Sequence, residues 1–204
     1  MKMRPASAFN ASAAVQRARA QLRESARLKQ RLPERLLREL AEFAQVTLEA
    51  FGRGRRVYFF GNGGSAADAQ HLAAELQGRL RLDRAALPAL ALTTNTSTLT
   101  AIGNDTRFAD IFARQVEGLA QRGDVVVGLT TSGASANVLA GLRAARRLGA
   151  RTAALTGART QKIKPLADIL LAVPSRDTQR IQEVHITLGH IYCDLIEQHL
   201  FARR

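Results

Sequence analysis

Short apolar runs alternate with stretches of helical spacing along most of the chain. The first fifty residues differ: residues 10–29 are rich in Ala, Arg, Gln and Leu, all good helix formers. Pro33 suits the first turn of a second helix, in which Leu36, Leu37, Leu40, Phe43, Val46 and Leu48 recur at helical spacing until Gly52 and Gly54 end it. Five apolar runs follow: Val57–Phe60, Ala89–Leu92, Val125–Leu129, Thr152–Leu155 and Ile169–Val173. An Ala-rich helix follows the first of them. Further helical stretches lie near 106–121 and 135–148, and a long final one covers 178–201. Strands that short, separated by helices, predict an α/β fold with a parallel sheet covered on both faces.

Length and composition narrow this picture. A chain of 204 residues suffices for one α/β domain with a full core. No apolar run is long enough to cross a bilayer, and the stretch MKMRPASAFNASAAVQRARA carries basic residues without the apolar segment of a secretory leader. A single cysteine, Cys193, permits no internal disulfide, so a reducing, cytoplasmic setting is expected. The net charge of +13 raises nucleic acid as a partner. The arginines are spread out, however, among them Arg17, Arg38, Arg84, Arg146, Arg151 and Arg203, with no dense basic run interleaved with aromatics and no zinc-finger spacing. No nucleic-acid interface is expected; a basic surface of this kind favours anionic substrates.

Candidate chemistry sits where strands end. The first run leads into Gly61-Asn62-Gly63-Gly64-Ser65, the second into Thr93-Thr94-Asn95-Thr96-Ser97, and the third into Thr130-Thr131-Ser132-Gly133-Ala134-Ser135. In a parallel sheet the carboxyl ends of the strands line the ligand crevice. Gly lets backbone N–H groups approach an anion, Ser and Thr add hydroxyl donors, and the following helix adds its positive end. Helix capping alone would explain any one such loop; having the first and third both of this kind favours a phosphate site. Gly61-Asn62-Gly63-Gly64-Ser65-Ala66 formally fits a dinucleotide fingerprint, but the second strand ends without the acid that would hold a ribose. The Gly-Lys-Ser/Thr of a nucleoside triphosphatase loop is absent.

The stretch from Phe60 to Glu75, which reads FGNGGSAADAQHLAAE, resembles the first signature of the phosphoheptose isomerases, a sugar isomerase (SIS) family. So do Thr100–Asp105, Thr131–Val138 and Arg180–His190, in the same order, and the likeness runs from about residue 20 to the end. The resemblance implies a five-stranded parallel sheet in an αβα sandwich, one SIS domain over 1–204 with 1–53 as an N-terminal helical extension, assembled as a homotetramer with active sites between subunits. It implies that His71, Glu75, Gln182 and His190 form a catalytic cluster able to hold zinc. It further implies that Ser65, Thr130, Thr131, Ser132 and Ser135 hold the substrate phosphate, and that Asn62 and Arg79 contact the sugar. Two departures stand out: Asn95 where the family has Asp, and Gly157-Ala-Arg-Thr-Gln-Lys162 where it has Gly-Gly.

The implied activity is aldose–ketose isomerisation of sedoheptulose 7-phosphate through an enediol, supplying bacterial heptose and lipopolysaccharide precursors. Such chemistry needs a base near neutral pKa and a group that moves a proton between oxygens. His190 is the candidate base, since imidazole titrates near physiological pH, and Glu75 the candidate acid/base. His71 and Glu75, four apart on a helix, share a face. Gln182 and His190 are eight apart, ~12 Å along a helix. Either Gln182 lies before or at the start of that helix, or two subunits contribute. His185 and Cys193 read as core. A non-catalytic relative, a tetrameric SIS adaptor for a replication initiator, lacks the counterparts of Glu75 and His190; this chain has both.

Overall fold

The computed structural model describes residues 9–202, so Arg203 and the outermost ends of the 1–204 domain lie outside the described residues. Among the described residues there are seven α-helices and five strands. The chain divides into two compact units at Leu32/Pro33. The first contains α1 (Ala11–Gln30), N-capped by the Asn10 side chain, which accepts from Ala13 N. The second carries everything else. The stretch expected as an extension over 1–53 is therefore split: α2 (Glu34–Gly52) belongs with the sheet.

In the second unit, β1 (Val57–Gly61), β2 (Ala89–Ala91), β3 (Val125–Thr130), β4 (Arg151–Thr156) and β5 (Ile169–Ala172) form one sheet in the order β2-β1-β3-β4-β5. Every pairing is parallel, with Val57 opposite both Ala89 and Val125. β1 and β3 are buried at every position, as continuous apolar runs in a doubly covered sheet require. One face packs on α5 (Ile111–Leu119) and α6 (Ala136–Leu148) through Tyr58, Phe60, Val126 and Ala154. The other is covered by α2, α3 (Gly64–Gln77) and α7 (Thr178–Phe201), where Tyr192 stacks on Phe43 at 4.0 Å and meets Phe59 edge-on.

One expectation changes. The stretch expected as a helix over 106–121 holds a short 3₁₀ turn (Phe108–Asp110) and then α5, and a further helix, α4 (Thr96–Asp105), precedes it. The weak helix formers of α4 are held by an Asn95 cap and by packing of Leu99 and Ile102 against the core. The apolar stripe of α2 is used internally: Leu36, Leu40 and Phe43 are buried within the chain's own unit. No helix among the described residues is long and apolar enough to cross a membrane.

Candidate active site

The strand order places a topological switch between β1 and β3, where the connections from these neighbouring strands run to opposite faces of the sheet. The carboxyl ends of such strands open a ligand crevice. A cleft of about 310 Å³ lies there, lined by Asn62, Gly63, Gly64, Ser65, Thr130, Thr131, Ser135, Thr178 and Gln182, among others. Both loops turn through glycines at positive φ, Gly63 at 56° and Gly133 at 64°, a region side chains rarely adopt. Gly133 also has no room for a Cβ, which would overlap the carbonyl of Arg159. The loop beyond β4, where the family's Gly-Gly is missing, thus packs directly on the loop beyond β3.

Hydroxyl groups dominate the cleft. The buried Thr130 Oγ1 lies 2.9 Å from Ser135 Oγ and 3.2 Å from Ser132 Oγ. Ser135 occupies the N-cap of α6, yet its side chain makes no capping bond. Its hydroxyl is turned toward Thr130 and the cleft instead. At Asn95 the outcome is the opposite: its side chain accepts from Thr98 N at 3.0 Å, caps α4, and lines a separate cavity of about 510 Å³ beside β2. Asn62 is held by a reciprocal amide pair with the buried Asn137, at 2.9 and 2.8 Å. The sequence reading passed over Asn137, although it stands only two positions beyond Ser135.

The second group of side chains sits on helices. α3 leaves the cleft at Gly64, and α7 lies beside it. The two approach closely because a Cβ at Gly64 would overlap Gln182 and one at Gly189 would overlap Leu72. Farther along, His71 Nε2 lies 2.8 Å from His190 Nε2 and 3.1 Å from Glu75 Oε1. Ligand atoms of His71, Glu75 and His190 all fall within 4.8 Å of one another, and both histidines are exposed while Glu75 is half-buried. Two imidazole nitrogens and one carboxylate oxygen could hold a metal ion, and catalytic zinc sites use such a donor set. Gln182 lies in the second turn of α7 and lines the cleft. Arg79 is exposed beyond the end of α3 and does not line the cleft.

Two neighbours carry shifted titrations. Burial pushes the Asp68 carboxyl, one turn before His71, up to about 6, with His71 opposing. Its Oδ2 is buried without a hydrogen-bond partner. His185 is fully buried, and burial pushes its imidazole down to about 4 against a contact of Nε2 with the Thr156 carbonyl at 3.2 Å. It is a core histidine, as its apolar surroundings in the sequence suggested.

The family profile described as SIS domain matches residues 22–157. The phosphoheptose isomerase of Aquifex aeolicus is 52% identical over 181 residues, 89% of this chain and 95% of its own length. That of Geobacter sulfurreducens is 53% identical over 182 residues, 89% and 96%. Among solved structures, the phosphoheptose isomerase of Neisseria gonorrhoeae superposes with a TM-score of 0.85 at 44% identity, covering 91% of this chain and 99% of that one. The Francisella tularensis phosphoheptose isomerase gives 0.87 at 34% identity, covering 91% and 98%.

Proposed function

The chain belongs to the SIS-domain family of phosphoheptose isomerases, and from that premise we propose that it converts sedoheptulose 7-phosphate to D-glycero-D-manno-heptose 7-phosphate, for heptose and lipopolysaccharide precursor synthesis in the cytoplasm. One observation carries this reading. The hydroxyl-lined cleft and the His71–Glu75–His190 cluster are joined by one helix, since α3 begins in the cleft and reaches His71 six residues after Ser65, ~9 Å along its axis. A linear phosphosugar needs this layout, with its phosphate at one end and its carbonyl carbons at the other.

Ser65, Thr130, Thr131, Ser132 and Ser135 hold the phosphate, with backbone N–H groups at the starts of α3 and α6 adding their partial positive charge. Asn62, fixed by Asn137, and Arg79, one turn beyond Glu75, contact sugar hydroxyls; Asn95, whose side chain caps α4 beside a separate cavity, is assigned no substrate contact. His190 removes a proton from C1 of the ketose. The released electron pair forms the C1–C2 double bond and leaves negative charge on O2. Glu75 relays the O1 proton to O2, completing the enediol exchange. The carbonyl then forms at C1 as the proton held by His190 is returned to C2. Positioned proton transfer of this kind typically contributes about 10²–10⁴-fold. A zinc ion held by His71, Glu75 and His190 would polarise the reacting oxygens as a Lewis acid.

We carry the homotetramer with this reading. Ile191 and Leu195 lie exposed one turn apart on α7, directly after His190, and give the cluster an apolar border that a second copy would cover. Gln182 then joins a cluster from a neighbouring copy, which the two-subunit option for its spacing requires. The test is incubation of the purified protein with sedoheptulose 7-phosphate, with zinc and after chelation, followed by assay for the aldose. No product from zinc-loaded, folded protein overturns the proposal and returns the adaptor alternative.

A further inference from the structure

The segment between α3 and β2 contains no helix or strand, yet its first residues are fastened firmly. Glu197, near the end of α7, has a fully buried side chain and collects four donors. Its Oε1 accepts from Arg81 N at 2.8 Å and Leu82 N at 2.9 Å, and its Oε2 from Leu80 N and Arg84 Nε, both at 3.0 Å. The Arg84 side chain is 1% exposed. Its remaining nitrogens donate to the carbonyls of Glu75 at 2.8 Å, Leu76 at 2.7 Å, Ala85 at 3.0 Å and Gly78 at 3.2 Å. The carbonyls of Glu75 and Leu76 belong to the last turn of α3, where no intrahelical donor remains for them.

Burial would raise the pKa of the Glu197 carboxyl, but three backbone N–H groups and the Arg84 guanidinium outweigh it and hold the pKa below the usual range. The group therefore stays charged inside the protein. A loop that needed only an anchor could use apolar contacts, since a buried ion pair often adds little net stability. A planar guanidinium with donors in fixed directions instead sets geometry. Here it joins the end of the helix bearing His71 and Glu75 to the helix bearing His190, and fixes the chain directly after Arg79.

We propose that the buried Arg84–Glu197 pair is a positioning device for the catalytic cluster, setting α3 against α7 and fixing where Arg79 leaves the helix. The pair touches neither substrate nor reacting atoms. The role in turnover rests on the isomerase reading above; the placement of the three cluster side chains does not.

The test uses the full chain and compares Glu197→Gln with Asp168→Asn. The second variant weakens a carboxylate that accepts from Thr152 N and Oγ1 at the amino end of β4, the far end of the sheet. Three quantities are read: zinc affinity by chelator competition, kcat and KM on the phosphosugar, and the imidazole NMR signals of His71 and His190 in metal-free protein. Supporting groups behind metal ligands typically change affinity 10–100-fold. Glu197→Gln should therefore weaken zinc about tenfold or more, lower kcat, raise KM and move both imidazole signals. Asp168→Asn should lower the unfolding temperature while leaving all three readouts within about twofold. If Glu197→Gln does not fold, Arg84→Lys takes its place, keeping the charge but losing the fork. A folded variant with unchanged zinc affinity, kcat and imidazole signals overturns the proposal. Should the wild type show no turnover, the isomerase reading falls, and zinc affinity and the imidazole signals still decide the positioning role.

Discussion

The hydroxyl-lined cleft and the His71–Glu75–His190 cluster share a helix but are built on opposite terms. The cleft is built at strand and helix ends: backbone turned by Gly63 and Gly133, with hydroxyls of Thr130, Ser132 and Ser135 that bond one another. The cluster is helix-borne: its geometry comes from side chains on α3 and α7, two of the three exposed. Side chains beside loops answer to local turns, whereas side chains along helices answer to how two helices pack. Substitutions should separate these dependences.

The largest expected effect is at the cluster. Glu75→Gln and His190→Gln should each lower kcat by about 10²-fold or more in steady-state assays, with bound zinc falling in parallel by metal analysis. Excess zinc should restore little, because the proton-transfer group is still missing. Full turnover in both variants would remove them from the chemistry. At the cleft, Ser132→Ala and Ser135→Ala should act on KM, by about tenfold to a hundredfold, since a hydrogen bond to a charged group is worth ~1.5–3 kcal/mol. Near-normal kcat at saturation should set them apart from the cluster; a matching loss of kcat would erase the contrast.

Asn137→Ala is expected to act more weakly and through structure. It leaves the Asn62 amide without its reciprocal partner, at a cost of ~1–3 kcal/mol in urea unfolding, together with a modest rise in KM. Smallest is a pair of opposed pH effects in the metal-free protein. His185 is neutral in the fold with its pKa at about 4 against an ordinary 6.5. The unfolded chain therefore binds the extra proton between those values. The stability it supports is intact above pH 6.5 and declines as pH falls toward 4, by at most ~1.4 kcal/mol per pH unit. Asp68, raised to about 6 from 3.8, binds its proton first in the folded chain. It therefore favours folding as pH falls through 6 toward 3.8. Asp68→Asn should steepen the loss of stability between pH 6 and 4, read as urea midpoints across that range. An unchanged slope would refute the opposition.

The sheet was legible because a doubly covered parallel strand must be apolar throughout: Val57–Phe60 and Val125–Leu129 mark β1 and β3 to within a residue. α4 was not legible, since Thr, Ser, Gly and Asn favour loops locally and only tertiary packing of Leu99 and Ile102 makes the segment a helix. The same limit applies to the site. Ser135 and Asn95 look alike in sequence, each a polar residue between a strand and a helix, yet one caps and the other faces the cleft. His71, Glu75 and His190 came from the family resemblance, not from any local signal of their own. Nothing local marked Arg84 and Glu197, 113 positions apart; apart from each other, the partners described for them are backbone groups, which leave no trace in residue type.

Cys193, the only cysteine of the sequence, lies 1% exposed on α7, three residues after His190. Burial pushes its thiol up to about 12, with Glu75 adding to the rise, Arg84 opposing it and Glu197 adding again. While α3 and α7 stay packed, an alkylating reagent meets neither a thiolate nor a path to the sulfur. The rate at which Cys193 is alkylated under native conditions is thus a clock for how often the last helix lifts from the body. The protein carries this reporter without any engineered label.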